Sequence, residues 1–181
     1  MRSLVCSFLL FGLAAAPAAA EQFKLTSPDI RSGGKIGDKF AFNSFGCTGE
    51  NISPALSWSG APAGTKSYVL TVYDPDAPTG SGFWHWVMYN IPASVTSLPQ
   101  GAGTPGKEPA GAMQGRTDYG TEGYGGPCPP KGDKPHRYIF TLYAVKTDKL
   151  EVPPNPTAAV VGFVTHYATL AKASFTARFG R

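Results

Sequence analysis

Lys66–Asp74 reads KSYVLTVYD, a stretch rich in β-branched and aromatic residues. Two other segments have the same character: Trp84–Ile91, WHWVMYNI, and Arg137–Val145, RYIFTLYAV. Successive side chains of a strand point to opposite faces, so apolar residues at both alternating positions indicate a strand that is covered on both sides. The three segments therefore predict the central strands of a mainly β protein.

Glycine and proline divide the rest of the chain, with 22 Gly and 17 Pro among 181 residues. Their distribution is too even for a linker and too dense for a helical bundle. Phe23–Ser27 and Ala55–Trp58 fit shorter strands, and Ala173–Phe179 alternates apolar with polar residues as a final strand does. This spacing predicts an antiparallel β-sandwich rather than alternating strands and helices.

One segment, Thr157–Lys172, has the periodicity of a helix. Asn155 is predicted to cap it, and Pro156 suits the first helical position, where an N–H group would have no partner. One stripe of the helix collects the apolar residues Val160, Val161, Val164, Ala168 and Ala171. Further upstream, Gly101–Gly126 is predicted to be a long loop, and loops of that length are usually functional or disordered.

Residues 1–20 have the pattern of a secretory signal peptide. Arg2 supplies an early positive charge, Leu4–Ala16 is apolar, and Ala18-Ala19-Ala20 precedes Glu21 as small residues precede a cleavage site. The apolar run is too short for a comfortable membrane span, although a short N-terminal anchor is the alternative. We therefore expect residues 21–181 to form one periplasmic or secreted domain without a transmembrane segment.

Charge and cysteine content indicate which partners and which cellular compartment to expect. The net charge is +4, and the basic residues near position 131 are interrupted by Asp133, so we expect no nucleic-acid partner. Two cysteines, Cys47 and Cys128, lie beyond the leader. In an oxidising compartment this pair predicts a disulfide, and two separate buried thiols are the alternative.

Polar residues that can carry chemistry fall in two segments, Tyr73–His85 and Tyr124–Tyr138. In the first, Asp74 and Asp76 lie in a stiff Asp-Pro-Asp-Ala-Pro turn, and His85 opens the next strand between two tryptophans. Taken alone, the carboxylates suit a turn that bonds its own backbone, and the histidine suits a core position. Together they form one candidate wall of a polar pocket.

The second segment is a Gly/Pro loop, Tyr124–Gly132, followed by a strand. Glycines allow backbone N–H groups to converge on an anion, whereas prolines fix the path of the chain. Because residues two apart share a strand face, His136 and Tyr138 are expected to point together and Arg137 away from them. A buried His/Tyr pair without a ligand is the alternative.

These motifs carry a family resemblance. Asp74-Pro-Asp-Ala-Pro, Trp84-His85 and Gly126-Pro-Cys-Pro-Pro-Lys-Gly-x-x-x-His136-Arg-Tyr138 resemble the phosphatidylethanolamine-binding protein family, which includes the Raf kinase inhibitor proteins and bacterial relatives. The resemblance covers essentially the whole chain after the leader. It implies an antiparallel Greek-key β-sandwich with a peripheral C-terminal helix, and a small anion pocket at one end of the large sheet.

Carried over position by position, the resemblance assigns these residues to the pocket: Asp74, His85, Pro129, His136 and Tyr138, with Gly126 in the bordering loop. Asp76 belongs to the motif, but its side chain can instead bond the structure around it. Trp84 is included as a candidate, although the face that His85 takes decides between it and Trp86. The proposed disulfide would lie directly behind the pocket loop.

The pocket favours a non-catalytic binding module for a phosphate, carboxylate or phosphoethanolamine-type group, such as a phospholipid headgroup. An ionised Asp74 repels a phosphate dianion, so we expect either a protonated His85, a shared proton or a zwitterionic ligand with its ammonium near the carboxylate and the tryptophans. Binding is expected to weaken as pH rises and the histidines lose charge. No cofactor is expected.

Two other functions remain open at this point. The family resemblance also suggests an inhibitor or regulator of a protein partner such as a kinase or protease. A hydrolase or metalloenzyme is less favoured, because the sequence has no Gly-x-Ser-x-Gly and no His-Glu-x-x-His motif. Two histidines and a carboxylate, His85, His136 and Asp74, would suffice as metal ligands. We expect neither a resident metal nor an enzymatic activity.

Overall fold

A computed structural model describes residues 21–181, so the predicted signal peptide lies outside the described residues. This part of the chain forms eight β-strands, one α-helix and a short 3-10 helix at Asp38–Phe40. The elements are β1 (Lys24–Thr26), β2 (Leu56–Ser59), β3 (Ser67–Asp74), β4 (Phe83–Pro92), β5 (Ser97–Leu98), β6 (Met113–Gln114), β7 (His136–Val145), α1 (Ala158–Ala168) and β8 (Thr169–Phe179).

The strands form two sheets in which every pairing is antiparallel. A three-stranded sheet has the order β1-β2-β5, and a five-stranded sheet has the order β6-β4-β3-β7-β8. The three apolar segments form β4, β3 and β7, the three inner strands of this sheet, as predicted. The mainly β, antiparallel sandwich is confirmed.

The central strands are buried on both faces because two different layers cover them. On one face, Leu70 and Trp86 belong to the main core between the sheets. On the other face, Val69 and Val87 pack in a second cluster that includes Val161 of α1. The two layers explain why β3 and β4 lack the alternation of polar and apolar residues that a half-exposed strand shows.

The helix is shorter than predicted, and its cap is a different residue. Thr157 is the N-cap, and its side chain accepts a hydrogen bond from the backbone N–H of Val160 at 3.3 Å. The predicted cap Asn155 instead has φ +51°, a left-handed conformation that asparagine tolerates. Residues from Thr169 onward pair with β7 and so gain the hydrogen bonds of the sheet, which ends the helix four residues early.

The predicted disulfide is confirmed: Cys47 and Cys128 are bonded, with Cα atoms 5.9 Å apart. The predicted long loop, Gly101–Gly126, is partly wrong because it contains β6, which pairs with β4. No helix within residues 21–181 has the length and apolar character needed to cross a membrane.

Candidate functional site

A cavity of about 370 Å³ opens at one end of the large sheet. β3 ends there at Asp74, and its two antiparallel neighbours begin there, β4 near His85 and β7 at His136. The wall contains five residues that the sequence assigned to the pocket: Asp74, His85, Pro129, His136 and Tyr138. His136 and Tyr138 are buried on one face of β7 and Arg137 is exposed, as the period of a strand predicted. The structure thus brings both predicted segments together.

The centre of the wall is a buried pair of Asp74 and His136. Nδ1 of His136 lies 2.8 Å from Oδ2 of Asp74, and both side chains are at most 4% exposed. Oδ1 of Asp74 accepts the backbone N–H of Asp76 at 2.8 Å, which fixes the carboxylate at the strand exit. The carboxylate is therefore held from two sides.

His136 also approaches a second carboxylate, because its Nε2 lies 3.3 Å from Oδ2 of Asp133. Burial alone lowers the pKa of His136, but the hydrogen bonds and charges of Asp74 and Asp133 outweigh it and raise this pKa above its ordinary value. When this ring is protonated, both of its N–H groups point to carboxylates, so it brings positive charge to the cavity and no free donor.

The pKa of His85 is shifted in the opposite direction to that of His136. Its Nδ1 lies 2.7 Å from the carbonyl oxygen of Gly125, which can only accept, so Nδ1 carries the proton and Nε2 is an acceptor. Burial lowers the pKa of His85 to about 4, against smaller opposing contributions from Gly125 and Asp74. The expected pairing of a protonated His85 with Asp74 is wrong, because burial keeps this ring neutral and His136 takes the carboxylate.

A β-bulge decides where the neighbouring tryptophans go. Val72 pairs with Trp86 and Tyr73 pairs with Trp84, which leaves His85 as the extra residue of β4. A bulge changes the direction in which side chains point and is common next to functional sites. The bulge places the two tryptophans on opposite faces of the sheet.

Neither tryptophan lines the cavity. Trp84 packs against Tyr73, with ring centroids 4.4 Å apart, and Trp86 is buried in the core, where Nε1 donates to Gln114 at 2.9 Å. The prediction of Trp84 as a pocket residue is therefore wrong. Its place is taken by three aromatic side chains that the sequence analysis missed: Phe45, Phe83 and Tyr119.

The hydroxyl group of Tyr138 has no hydrogen bond of normal geometry. The side chain is fully buried, and within residues 21–181 its nearest acceptor is the carboxylate of Asp74, which interacts with it only weakly. Burial raises the pKa of this phenol, and the nearby Asp74 raises it further, so the group stays protonated. A buried, unpaired hydroxyl costs about 1–3 kcal/mol. Since Tyr138 lines the cavity, a ligand oxygen there would satisfy this donor.

The Gly/Pro loop does not direct its glycine N–H groups at the cavity as expected. The N–H of Gly125 donates to the carbonyl oxygen of His85 at 2.8 Å, and that of Gly126 donates to Oδ1 of Asn51 at 2.7 Å. Gly126 borders the wall without lining it. A Cβ atom at Gly126 would overlap the backbone of Phe40, so close packing explains this glycine.

Asp76 serves the structure around the cavity, which was the alternative stated for it. Its carboxylate accepts two hydrogen bonds from the guanidinium of Arg137, at 2.6 and 2.9 Å, and a third from the Arg137 backbone at 2.8 Å. The hydrogen bond from Arg137 is the main cause that lowers the pKa of Asp76 to about 2. This pair ties the β3 exit turn to β7 outside the cavity.

The wall is acidic on balance. Asp74 and Asp118 line it together with His85 and His136, and among residues 21–181 the lining includes no Lys or Arg. Asp118 accepts the backbone N–H of Trp84 at 2.8 Å and lies in the Gly-rich segment that the sequence marked as functional or disordered. Within residues 21–181, no three His, Cys, Asp or Glu side chains are grouped closely enough to hold a metal ion.

Comparison with known proteins shows the family of the chain. The family model for phosphatidylethanolamine-binding proteins matches residues 26–180. The chain belongs to this family. YbcL of Escherichia coli (strain K12) is 51% identical over 176 residues, which cover 96% of this chain and 93% of YbcL. YbhB of the same organism is 52% identical over 157 residues, 86% of this chain and 99% of YbhB.

Two solved structures extend the comparison. The crystal structure of E. coli YbcL, described as a new member of the mammalian family, superposes with a TM-score of 0.86 at 50% identity and covers 89% of this chain and 99% of its own. That of CT736 from Chlamydia trachomatis, described as a homologue, gives 0.74 at 32% identity, over 88% and 97% of the two chains. As a family member, the protein is a ligand-binding module.

Proposed function

We propose that the protein binds, without turning it over, a small ligand with a phosphate or carboxylate group, and that it prefers a phosphoethanolamine-type headgroup. The observation that carries this proposal is one cavity wall in which the Asp74–His136 pair lies beside the buried hydroxyl of Tyr138, which has no hydrogen bond of normal geometry. The hydroxyl can turn its donor to a ligand oxygen, and His136, whose pKa is raised, offers positive charge when it is protonated.

The charge of the wall favours a ligand that is not a bare dianion. Asp74 and Asp118 repel a second negative charge, and no lysine or arginine among the lining residues of 21–181 offsets them. A protonated phosphate reduces the repulsion, and an ammonium group turns it into attraction. An ammonium group over the face of Phe83 or Tyr119 gains a further ~0.5–2 kcal/mol.

The wall supports binding better than catalysis. Both nitrogens of His136 face carboxylates, so the ring is poorly placed to take a proton from a nucleophile. Thr79, the hydroxyl-bearing aliphatic residue of the wall, donates to the carbonyl oxygen of Gly82, and Cys128 is bonded in the disulfide. A role as inhibitor of a protein partner stays a prediction.

We also propose that the protein acts in the periplasm or outside the cell. The disulfide between Cys47 and Cys128 supports this location, because such bonds persist in oxidising compartments. A relative from Mycobacterium tuberculosis, LppC, which is 38% identical over 141 residues, is named as a lipoprotein. The signal-peptide pattern of residues 1–20 points the same way.

Titration calorimetry with phosphoethanolamine, inorganic phosphate and ethanolamine tests the ligand. We expect millimolar-to-micromolar binding of phosphoethanolamine, tighter than of either part alone. Tyr138→Phe should weaken it about tenfold or more, because a hydrogen bond to a charged group is lost. Binding should also weaken from about pH 5.5 to about pH 8, as the phosphate loses its last proton, with a pKa of about 6, and is repelled by Asp74.

Tyr124→Phe is the matched control. It removes the same atom from a buried tyrosine whose hydroxyl donates to the carbonyl oxygen of Phe40 at 2.9 Å, outside the cavity lining. This variant should lose stability and keep its affinity. Absence of heat with all three compounds, or equal affinities in both variants, would contradict the proposal.

A further inference from the structure

A groove lies along the β8 edge of the large sheet, away from the ligand cavity. It has a volume of about 730 Å³ and is lined by residues 22–28 and 30–32 on one side and by residues 172–175 of β8 on the other. The groove shares no lining residue with the ligand cavity. β1 and β8 are edge strands of the two sheets, so this β1–β8 groove runs between two sheet edges.

In the part of the chain that the structure describes, a loop covers only one half of the β8 edge. The carbonyl oxygen of Thr176 accepts the N–H of Gly33 at 2.7 Å. Arg178 donates its N–H to the carbonyl oxygen of Gly34 at 2.9 Å, and its own carbonyl oxygen accepts the N–H of Ile36 at 2.8 Å. These bonds leave β8 on the side opposite to β7, because β7 is the one strand that pairs with it.

The other half of this edge has unpaired backbone groups. The pairing of β7 with β8 is regular over residues 171–179, so every second residue of β8 directs its N–H and C=O groups to the same side. The N–H and C=O groups of Lys172 and Ser174, and the N–H of Thr176, therefore point away from β7, as those of Arg178 do. Within residues 21–181 none of them has a hydrogen-bond partner. An unpaired strand edge of this kind is a template for another strand.

The β1–β8 groove is also basic. Lys24 and Arg31 line one wall and Lys172 lines the other, and all three residues are exposed. Among the described residues, the lining includes no Asp or Glu, and none of the three cations forms a salt bridge. The groove therefore carries positive charge on both sides.

The acidic residues next to this segment are directed to other partners. The carboxylate of Glu21 accepts the hydroxyl of Ser59 at 2.9 Å, and that of Asp29 accepts the backbone N–H of Ala55 at 2.7 Å. Neither carboxylate lines the groove. The positive charge of the groove is thus available to a negatively charged partner.

The backbone groups and the charges together define the partner. Free N–H and C=O groups at alternate positions match the backbone of an extended peptide, which can add to a sheet edge as a further strand. Positive charge on both walls favours acidic side chains in that peptide. It disfavours a second copy of this chain, because two paired β8 edges would bring the same cations close together.

We propose that the β1–β8 groove binds an extended acidic segment of another protein, which pairs with residues 172–176 of β8 as an added strand. At ~3.4 Å per residue, this part of the edge takes about five residues of the segment. The proposal does not depend on which ligand the cavity binds. It gives the protein a docking surface that is separate from its ligand site.

Titration calorimetry and hydrogen exchange with the peptide acetyl-Glu-Val-Glu-Val-Glu-Val-Glu-amide test this docking. We expect binding that weakens as salt rises from about 0.05 to about 0.5 M, and no binding of the same peptide with lysine in place of glutamate. In the complex, the amides of Lys172, Ser174 and Thr176 should exchange several-fold more slowly. The amide of Arg178 should not change, because it is already bonded to Gly34.

Ser174→Pro removes one edge N–H and keeps the pairing with β7, because this N–H points away from β7. It should weaken peptide binding about tenfold or more, whereas the matched control Ser174→Ala keeps the N–H and should stay within about twofold. Lys172→Glu should weaken binding about fivefold or more. Lys107→Glu, the same change at an exposed lysine outside the groove, should stay within about twofold.

Circular dichroism establishes that each variant is folded, and if Ser174→Pro is not, Lys172→Glu and the exchange of the unchanged protein decide the question. Absence of peptide binding overturns the proposal. Binding that a folded Ser174→Pro leaves unchanged also overturns it, because charge alone would then hold the peptide, and equal binding of a polyphosphate would identify a general polyanion surface. A dimer of the unchanged protein that Ser174→Pro dissociates overturns it as well, since a second copy would then occupy the edge.

Discussion

Two histidines of the same cavity have opposite pKa shifts, and their immediate partners explain why. His85 faces a neutral carbonyl group and is deeply buried, so burial dominates and lowers its pKa to about 4. His136 is also buried but touches the carboxylates of Asp74 and Asp133, which raise its pKa above the ordinary value. The neutral ring of His85 is an acceptor, and His136 supplies positive charge when it is protonated.

The shift of His85 predicts acid sensitivity. An unfolded chain protonates this ring below about pH 6.5, whereas the folded protein does so only near pH 4. The contribution of His85 to the free energy of unfolding is therefore fully present above about pH 6.5. It decreases by about 3 kcal/mol at most as pH falls to about 4. We expect His85→Asn to reduce the pH dependence of the free energy of unfolding, measured with urea, in this window. Asparagine retains a donor for the carbonyl oxygen of Gly125 and does not titrate.

His136 makes the free energy of unfolding depend on pH in the opposite direction, and it serves as the comparison. Its raised pKa stabilises the fold below the unfolded value, and this contribution is lost as pH rises through the folded pKa. His136→Asn should therefore alter the curve above about pH 6.5 and leave the acid limb steep. An acid limb that is unchanged in His85→Asn would show that His85 is not buried in its neutral form.

The sequence identified most cavity residues but not their partners. Asp74, His85, His136 and Tyr138 were predicted from a motif, because such motifs keep residue types at fixed spacing. That Asp74 pairs with His136 rather than His85 depends on burial and on a carbonyl group contributed by another loop. Phe45 carries no sequence signal, since only its backbone angle and its tethers distinguish it from a surface phenylalanine.

At the level of elements, the β-bulge in β4 has the largest effect on the site. It separates Trp84 from Trp86 and leaves His85 as the extra residue. The apolar run of β4 is the same whether or not a bulge is present, so neither composition nor periodicity reveals it. Strand positions were predicted well because β3, β4 and β7 are buried on both faces.

The N-cap of α1, which the sequence placed at Asn155 and the structure places at Thr157, can be tested by mutation. Thr157→Ala should lower the free energy of unfolding by about 1 kcal/mol, because it removes the oxygen that accepts the N–H of Val160. Asn155→Gly should change it by less than about 0.5 kcal/mol, since glycine adopts the left-handed angle found there. Denaturant unfolding of both variants measures this difference, and the reverse order would restore Asn155 as the cap.

At the scale of the whole molecule, the cavity combines a rigid part with a tethered part. Asp74, His136 and Tyr138 lie on adjacent central strands, whose pairing holds them in place. Phe45 lies in a turn outside the sheets and depends on Cys47–Cys128 and Arg181. Ligand binding at Asp74, His136 and Tyr138 should therefore survive when the tethers of Phe45 are cut.

Reduction of the disulfide tests whether stability and ligand binding depend on this tether. The bond joins residues 81 positions apart, and a loop of that length stabilises the folded state by about 4–5 kcal/mol, mainly by restricting the unfolded chain. We expect urea unfolding with and without reductant to show a loss of this order. The folded, reduced protein should bind phosphoethanolamine within about threefold of the oxidised form, because the pairing of β3 with β7 does not need the bond.

A Cys47→Ser/Cys128→Ser double variant is the control, because it should match the reduced protein and be insensitive to reductant. Circular dichroism establishes the conditions under which this variant is folded, so that a loss of binding is not mistaken for unfolding. If headgroup affinity collapses in the folded variant, the disulfide shapes the deep part of the cavity as well.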